Sequence, residues 1–260
     1  MASMQNTLAK SFKALHQPGS PVVLANVYDA PSANAVASLP TAKAIATASY
    51  AVAQAAGVED DNLTQEANLA AAKVITSVVK KYQKPVSVDI QDGYGDQLEE
   101  VITALLQMGV VGVNLEDCDK ATHNMYDVNE AVARIKRVLA VAQSHGVPDF
   151  VVNARCDTLV HGGSLSEVIT RGQAYLAAGA STVFVWGGSN RGGISRDEVA
   201  QLVKAFNGRL NVSKKLSAEG LTVKESAEMG VARISIGPAL QSVAMAKLKQ
   251  EAEKILQEWV

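Results

Sequence analysis

Apolar and polar positions along the chain repeat in a regular cadence. Short runs rich in valine, alanine and isoleucine alternate with longer stretches of helical periodicity, at intervals of roughly 30 residues. The apolar runs at 21–27, 42–48, 85–90, 110–115, 149–154, 182–186, 210–213 and 232–236 predict eight strands. Their near-continuous apolar character is that of strands buried on both faces, so a parallel sheet is expected. Helices are expected at 31–38, 64–80, 97–108, 128–144, 165–178, 196–206, 223–229 and from 238 to the C-terminus. Thr64 stands where an N-cap belongs. Gly109, Gly146, Gly179 and Gly230 stand where helices should end. This alternation predicts an α/β fold: one (β/α)8 TIM barrel over residues 1–260, with a short N-terminal helix and a long C-terminal helix. The rival, a doubly wound sheet, would carry a phosphate-binding glycine loop after its first strand. Asn26-Val-Tyr-Asp-Ala-Pro31 is not such a loop.

Composition narrows the picture. The 260 residues suit one barrel, and a hydrophobic share of 48% with few aromatics suits tight helix-on-sheet packing. The formal net charge of −2 points away from nucleic acid and from anionic membrane surfaces. No uninterrupted apolar run approaches the ~18 residues of a membrane span, and residues 1–10 lack an apolar signal core. A cytoplasmic protein with no membrane partner is expected. Cys118 and Cys156 have no metal-type spacing and read as reduced thiols.

The strands discharge polar groups at one end. The third runs into Asp89-Ile-Gln-Asp-Gly-Tyr-Gly95, the fourth into Asn114-Leu-Glu-Asp117 and the fifth into Asn153-Ala-Arg-Cys-Asp157. Strand ends that converge in this way describe the C-terminal face of a barrel, where active sites of this fold lie. Asp89 and Glu116 would meet across a strand spacing of about 5 Å, which favours a cation or a proton between them. Asp60, in the loop after the second strand, would complete an acidic cluster, with an exposed acidic turn as its alternative. Oxygen ligands of this kind suit a hard cation such as Mg2+. Arg155 suits a bidentate grip on a substrate anion, and an ion pair with Asp157 or Glu116 is the alternative. Asn153 points the same way by strand alternation. Thr47, Ser49 and Tyr28 join Asn153 and Arg155 as substrate-binding candidates. Of the histidines, His123 lies in the loop after the fourth strand, His16 and His145 read as surface residues near helix ends, and His161 as a loop residue. Lys214 and Lys215 read as rim residues or a solvated pair.

These motifs, with Gly57-Val-Glu-Asp60 and the segment Gly230-Val-Ala-Arg-Ile-Ser-Ile-Gly-Pro-Ala239, resemble the isocitrate lyase/phosphoenolpyruvate mutase superfamily over almost the whole chain. The resemblance implies a Mg2+-dependent barrel (Mn2+ being a possible substitute) that cleaves or forms a C–C or P–C bond beside a pyruvate-type enolate. It implies Asp89 as a direct metal ligand, with Asp60 and Glu116 in its inner or water-mediated shell. Gln91 takes a metal-shell position where the family commonly has an acid. Arg155 would hold a carboxylate or phosphonate of the substrate. Family lyases carry Lys-Lys-Cys-Gly-His after the fourth strand; this chain has Cys118-Asp-Lys-Ala-Thr-His-Asn-Met-Tyr126. Lys120, His123 and Asn124 are the candidates there for a gating loop, and Arg155, Glu116, His123 and Asn124 are the catalytic candidates. The resemblance further implies a homotetramer whose final helix is exchanged between subunits. Three readings follow: a lyase or decarboxylase of a small α-keto or α-hydroxy acid, a phosphonate P–C enzyme, and a barrel that binds a metabolite without turnover.

Overall fold

A computed structural model describes residues 2–217 and 220–258. Nine strands run β1 (Val22–Leu24), β2 (Asn26–Val27), β3 (Ile45–Thr47), β4 (Val86–Asp89), β5 (Gly112–Glu116), β6 (Val151–Cys156), β7 (Thr182–Val185), β8 (Leu210–Ser213) and β9 (Arg233–Ser235). Ten α-helices interleave them: α1 (Ala2–Ala14), α2 (Ala30–Ala37), α3 (Ser49–Ala56), α4 (Gln65–Val79), α5 (Leu98–Gln107), α6 (Val128–Ser144), α7 (Leu165–Ala177), α8 (Arg196–Ala205), α9 (Val223–Glu228) and α10 (Ala239–Gln257). All strand pairings are parallel, in the order β1-β9-β8-β7-β6-β5-β4-β3-β2. The two ends of that order are neighbours in sequence, so the sheet curls into a nearly closed barrel. Thr64, Ser164, Ser195 and Thr222 each accept the N–H of the third helical residue, and so start α4, α7, α8 and α9 at the same barrel end.

The strand expected at 21–27 is divided. Up to Leu24 the chain bonds to β9, and from Asn26 it bonds to β3. One backbone cannot serve both neighbours through the seam at Ala25, so the Asn26 side chain bridges it. Its Nδ2 donates to the Thr47 carbonyl at 2.7 Å, and its Oδ1 accepts the N–H groups of Ile236 and Gly237 at 3.0 and 2.8 Å. Helix α3 was not expected. The alanines between Ser49 and Ala56 favour it, and Gly57 closes it at φ 77°.

The apolar core lies between strands and helices, with Val113, Leu115, Val152 and Val183 buried under the helical layer. Alternate strand positions face the barrel axis, and there the residues are polar: Ser87, Asp89, Asn114, Asn153, Thr182, Asn211, Arg233 and Ser235 are all buried. Helix α1 closes the floor. Gln5 donates to the carbonyls of Leu106 and Val110 at 3.0 and 2.9 Å. Gly112 lets Phe12 approach, since a Cβ there would sit 3.1 Å from its ring and 2.9 Å from the Val151 carbonyl oxygen.

His16 is not at the surface as expected but buried, 8% exposed, in this floor. Its ring packs edge-on against Phe12 at 4.8 Å. Nδ1 lies 2.8 Å from the Phe12 carbonyl, and Nε2 lies 3.5 Å from Nη1 of Arg233. A carbonyl only accepts and a guanidinium only donates, so the neutral ring with its hydrogen on Nδ1 satisfies both. Burial, then the charge of Arg233, lowers the His16 pKa to about 3. Burial likewise lowers Arg233 to about 9. A folded pKa below the unfolded value means that the unfolded chain takes up the proton first as pH falls. Stability should therefore be intact above about pH 6.5 and fall toward pH 3, by at most ~1.4 kcal/mol per pH unit from this residue. Urea unfolding at pH 7 and pH 5 should show a smaller pH dependence for His16→Gln than for wild type; equal slopes would remove His16 from the account.

Candidate active site

The barrel mouth is organised around Asp89, the last residue of β4. Its Oδ2 accepts the N–H of Ser49 at 3.0 Å. Its Oδ1 accepts Nδ2 of Asn114 at 3.1 Å and the N–H of Gln91 at 3.3 Å. The backbone of Asp89 is held by side chains as well: its N–H donates to Thr47 Oγ1 at 2.9 Å, and its carbonyl accepts Asn68 Nδ2 at 2.8 Å. Behind Asn114 runs a directional relay. Thr182 Oγ1 donates to Asn153 Oδ1 at 2.6 Å, Asn153 Nδ2 donates to Asn114 Oδ1 at 2.7 Å, and Asn114 passes the polarity on to the carboxylate. Every donor in this chain points toward the Asp89 carboxyl.

Strand register sets Glu116 beside Arg155. Arg155 Nη1 donates to Glu116 Oε1 at 2.6 Å and Nε to Asp157 Oδ1 at 2.8 Å, and the guanidinium stacks 5.2 Å from the Trp186 ring. Arg155 is thus engaged by the two acids named as its ion-pair alternatives, with Nη2 outside both pairs. Burial opposes its charge, but Asp157 and Glu116 outweigh that effect and push its pKa up. Glu116 is pushed well above the usual carboxylate range, first by burial and then by Asp157, Asp89 and Asp60, with Arg155 opposing. Asp60 is raised by burial and Asp89, against the Ser49 hydroxyl, Arg155 and Lys120.

Gln91 sits in a left-handed turn at φ 51°, followed by Gly93 at 83° and Tyr94 at 60°. Its Nε2 donates to the Asp60 carbonyl and to Asp60 Oδ1 at 2.9 and 3.1 Å. Its Oε1 accepts Lys120 Nζ at 2.6 Å. The amide therefore joins Asp60 to Lys120 and turns its N–H groups, not its oxygen, toward the acid.

At the mouth, Asp60, Asp89, Glu116 and Asp157 stand against Arg155 and Lys120, four carboxylates to two cations, with two negative charges in excess when all are ionised. Arg233 acts on Asp89 from the floor below. Carboxylate oxygens and this excess fit a hard divalent cation in charge and in donor type. Among the described residues no group of three His, Cys, Asp or Glu side chains is placed to hold a metal ion by itself. Mg2+ asks for less, since it is commonly held by one or two carboxylates together with water and substrate oxygens.

A family model for phosphoenolpyruvate phosphomutase matches residues 12–256. The chain belongs to that family. A Mycobacterium tuberculosis protein named only as uncharacterized is 34% identical over 238 residues, 90% of this chain and 84% of that one. A crystal structure from Burkholderia cenocepacia J2315, provisionally described as a phosphonomutase, is 34% identical and superposes with a TM-score of 0.85 over 96% of this chain and 99% of that one. The crystal structure of 2,3-dimethylmalate lyase, a member of the phosphoenolpyruvate mutase/isocitrate lyase superfamily, is 25% identical with a TM-score of 0.83, over 99% and 88% of the two chains.

In this phosphomutase-family barrel the other candidates are spread more widely. Thr47 and Ser49 are buried against Asp89, and Tyr28 is half-buried beside Val52, Ala53 and Leu63. His123 and Asn124 lie on the exposed tip of the β5–α6 loop, with His123 at φ 55°. Cys118 is half-buried at the base of that loop, and its thiol is pushed up to about 12, by burial first and then by Asp157, Glu116 and Asp117. Lys214 and Lys215 border a cavity of about 720 Å3 that also reaches Trp186. The relay partner Thr182 escaped the sequence reading. Its signal was a lone polar residue opening an apolar strand run.

The relay generates a test. Asn114→Ala should cost ~1–3 kcal/mol by stranding buried amide groups. Asn153→Ala should cost a similar amount, and the double variant clearly less than the sum. Urea unfolding of the four proteins in the cycle measures this, and strict additivity would mean that the amides act independently.

Proposed function

We propose that this protein is a Mg2+-dependent carbon–carbon lyase or decarboxylase acting on a small α-keto or α-hydroxy acid through a pyruvate-type enolate. The observation that carries this reading is the mouth itself: the carboxyl groups of Asp60, Glu116 and Asp157 gathered around Asp89, next to Arg155, whose guanidinium is suited to grip a substrate anion. Asp89 would hold the metal directly, with Asp60 and Glu116 near it. Such a cation acts as a Lewis acid on an enolate oxygen. The guanidinium of Arg155 binds a substrate carboxylate and aligns it, trading its pairs with Glu116 and Asp157 for a charged ligand. Ser49 and Thr47 keep Asp89 immobile while this happens. Glu116 is the carboxyl most strongly driven to keep its proton, and Cys118 keeps its own at neutral pH.

Those held protons favour a cleavage over a mutase reaction. A lyase, a decarboxylase or a P–C hydrolase must deliver a proton to the enolate carbon, whereas a mutase moves its group without one. The second reading, a phosphonate P–C enzyme, draws support from the 34% identical phosphonomutase-like neighbour. The assay that separates them supplies Mg2+ with oxaloacetate, 2-methylisocitrate, 2,3-dimethylmalate, phosphonopyruvate or phosphoenolpyruvate, and follows pyruvate together with the interconversion of the last two by phosphorus NMR. Pyruvate from a C–C substrate supports the first reading, turnover of the phosphonate alone supports the second, and oxalate binding without any turnover supports a non-catalytic barrel. Arg155→Ala should lower kcat/KM by on the order of 30- to 1000-fold, as the loss of a charged bidentate contact implies. Arg155→Lys should not restore it, because an ammonium is a point donor; full activity in either variant would refute the role.

We also propose a homo-oligomer, a tetramer, in which α10 packs on a neighbouring subunit. From residue 242 onward this helix stands clear of its own barrel almost throughout. Val243, Leu248, Ile255 and Leu256 are 56%, 61%, 66% and 70% exposed, more apolar surface than a monomer's helix usually shows to water. The two cysteines are free, as suits a cytoplasmic enzyme. Light scattering should give a multimer for wild type and a smaller species for Val243→Glu combined with Leu248→Glu; a monomeric wild type would end the proposal.

A further inference from the structure

The loop between β5 and α6 is a compact turn with its own internal bonds. The N–H of Asp119 donates to the Asn124 carbonyl and that of His123 to the Asp119 carbonyl, both at 2.8 Å. Asp119 Oδ1 caps the turn by accepting the N–H groups of Ala121 and Thr122 at 2.8 and 3.1 Å. The base of the loop is pinned where Tyr126 Oη donates to Asp92 Oδ2 at 2.8 Å. Across the mouth the loop reaches out through Lys120. Its Nζ donates to the Leu63 carbonyl at 2.5 Å and to Gln91 Oε1 at 2.6 Å, and lies 5.2 Å from the Tyr94 ring centre. Both acceptors belong to other loops, those after α3 and after β4. No carboxylate pairs with this ammonium among the described ion pairs, although Asp60, Asp92, Asp61 and Glu116 all act on it through space.

We propose that Lys120 is a tethered cation that latches the β5–α6 loop over the acidic mouth and competes there with a bound divalent metal ion. The metal half of this inference rests on the function proposed above; the latch half does not. Two features support it. Lys120 and a metal ion would draw on the same carboxylate field, in particular Asp60 and Glu116, and like charges so placed repel. Moreover, its latch point Gln91 also holds Asp60 through its N–H groups. Displacing Lys120 and loading the acids are therefore linked through one amide. Linkage is reciprocal: if metal loosens the latch, the latch weakens metal binding by the same factor. A merely structural lysine would not do this, since its removal should leave metal affinity unchanged or lower it.

The experiment uses the full chain with Mg2+ itself as the probe. In the absence of metal, amide hydrogen exchange at residues 118–125 should be at least about tenfold faster in Lys120→Met than in wild type, the signature of a released local segment. Titration calorimetry should show Mg2+ binding at least about threefold tighter in Lys120→Met, while Lys120→Arg, which keeps the charge, stays near wild type. Mg2+ should accelerate exchange of 118–125 in wild type and leave Lys120→Met unaffected. Unchanged exchange in metal-free Lys120→Met overturns the latch. Mg2+ affinity in Lys120→Met equal to or below wild type overturns the competition, and where wild type binds Mg2+ and Asp89→Ala does not, the functional reading survives that failure. If neither wild type nor Lys120→Met binds Mg2+, the metal reading falls and the competition with it, while the metal-free exchange still decides the latch.

Discussion

The structure depends on holding one carboxylate, that of Asp89, in a fixed place at the barrel mouth. A buried carboxylate is costly unless donors replace the water it has lost. Here Ser49 and Gln91 donate backbone N–H groups and Asn114 an amide N–H, while Thr47 and Asn68 bind the backbone of Asp89 itself. These contacts come from four different stretches of chain. That explains features with no other evident purpose: the early start of α3 at Ser49, the left-handed turn at Gln91, and asparagines in the middle of β5 and β6. Moving any one of them moves the carboxylate.

The same requirement reverses the usual arrangement of a barrel interior. Branched apolar side chains commonly fill it, yet here the axis carries amides, hydroxyls, Arg233 and Asp89. Cohesion falls instead to the layer between sheet and helices, where valine, leucine and alanine are close-packed. Polarity continues to the floor, where α1 seals the barrel with Phe12 and a neutral His16 that accepts from Arg233. Among the described residues Arg233 forms no ion pair with a carboxylate. Its main compensation is the charge of Asp89 above, so floor and mouth are coupled along the axis.

Much of this was legible in the chain. The strand–helix cadence and helix-ending glycines conveyed the barrel, and charged residues at three successive strand ends conveyed the mouth, because both are local signals. What escaped was set by tertiary contact. His16 resembles any polar residue near a helix end until α1 is seen folded under the barrel. The break at Ala25 follows from ring closure, a property of the whole sheet and not of residues 21–27. Lys120, His123 and Asn124 share a loop and looked alike in sequence. Only the fold directs Lys120 inward to Gln91 and leaves the other two at the exposed tip.

The glutamine at position 91 makes sense in the same terms. A carboxylate there would stand about as close to Asp60 as the amide nitrogen does, 3.1 Å from Oδ1, and two charges so placed repel strongly when half-buried. It would also turn the contact with Lys120 into a salt bridge, fastening the loop by charge and removing Lys120 from the field of the other acids. An amide does neither. It donates on one side, accepts on the other, and carries no charge of its own. The chain thereby gives up one unit of negative charge at the mouth and gains a directional joint between Asp60 and the β5–α6 loop. The acids around Asp89 are then Asp60, Glu116 and Asp157, three carboxyl groups that share the two cations Arg155 and Lys120.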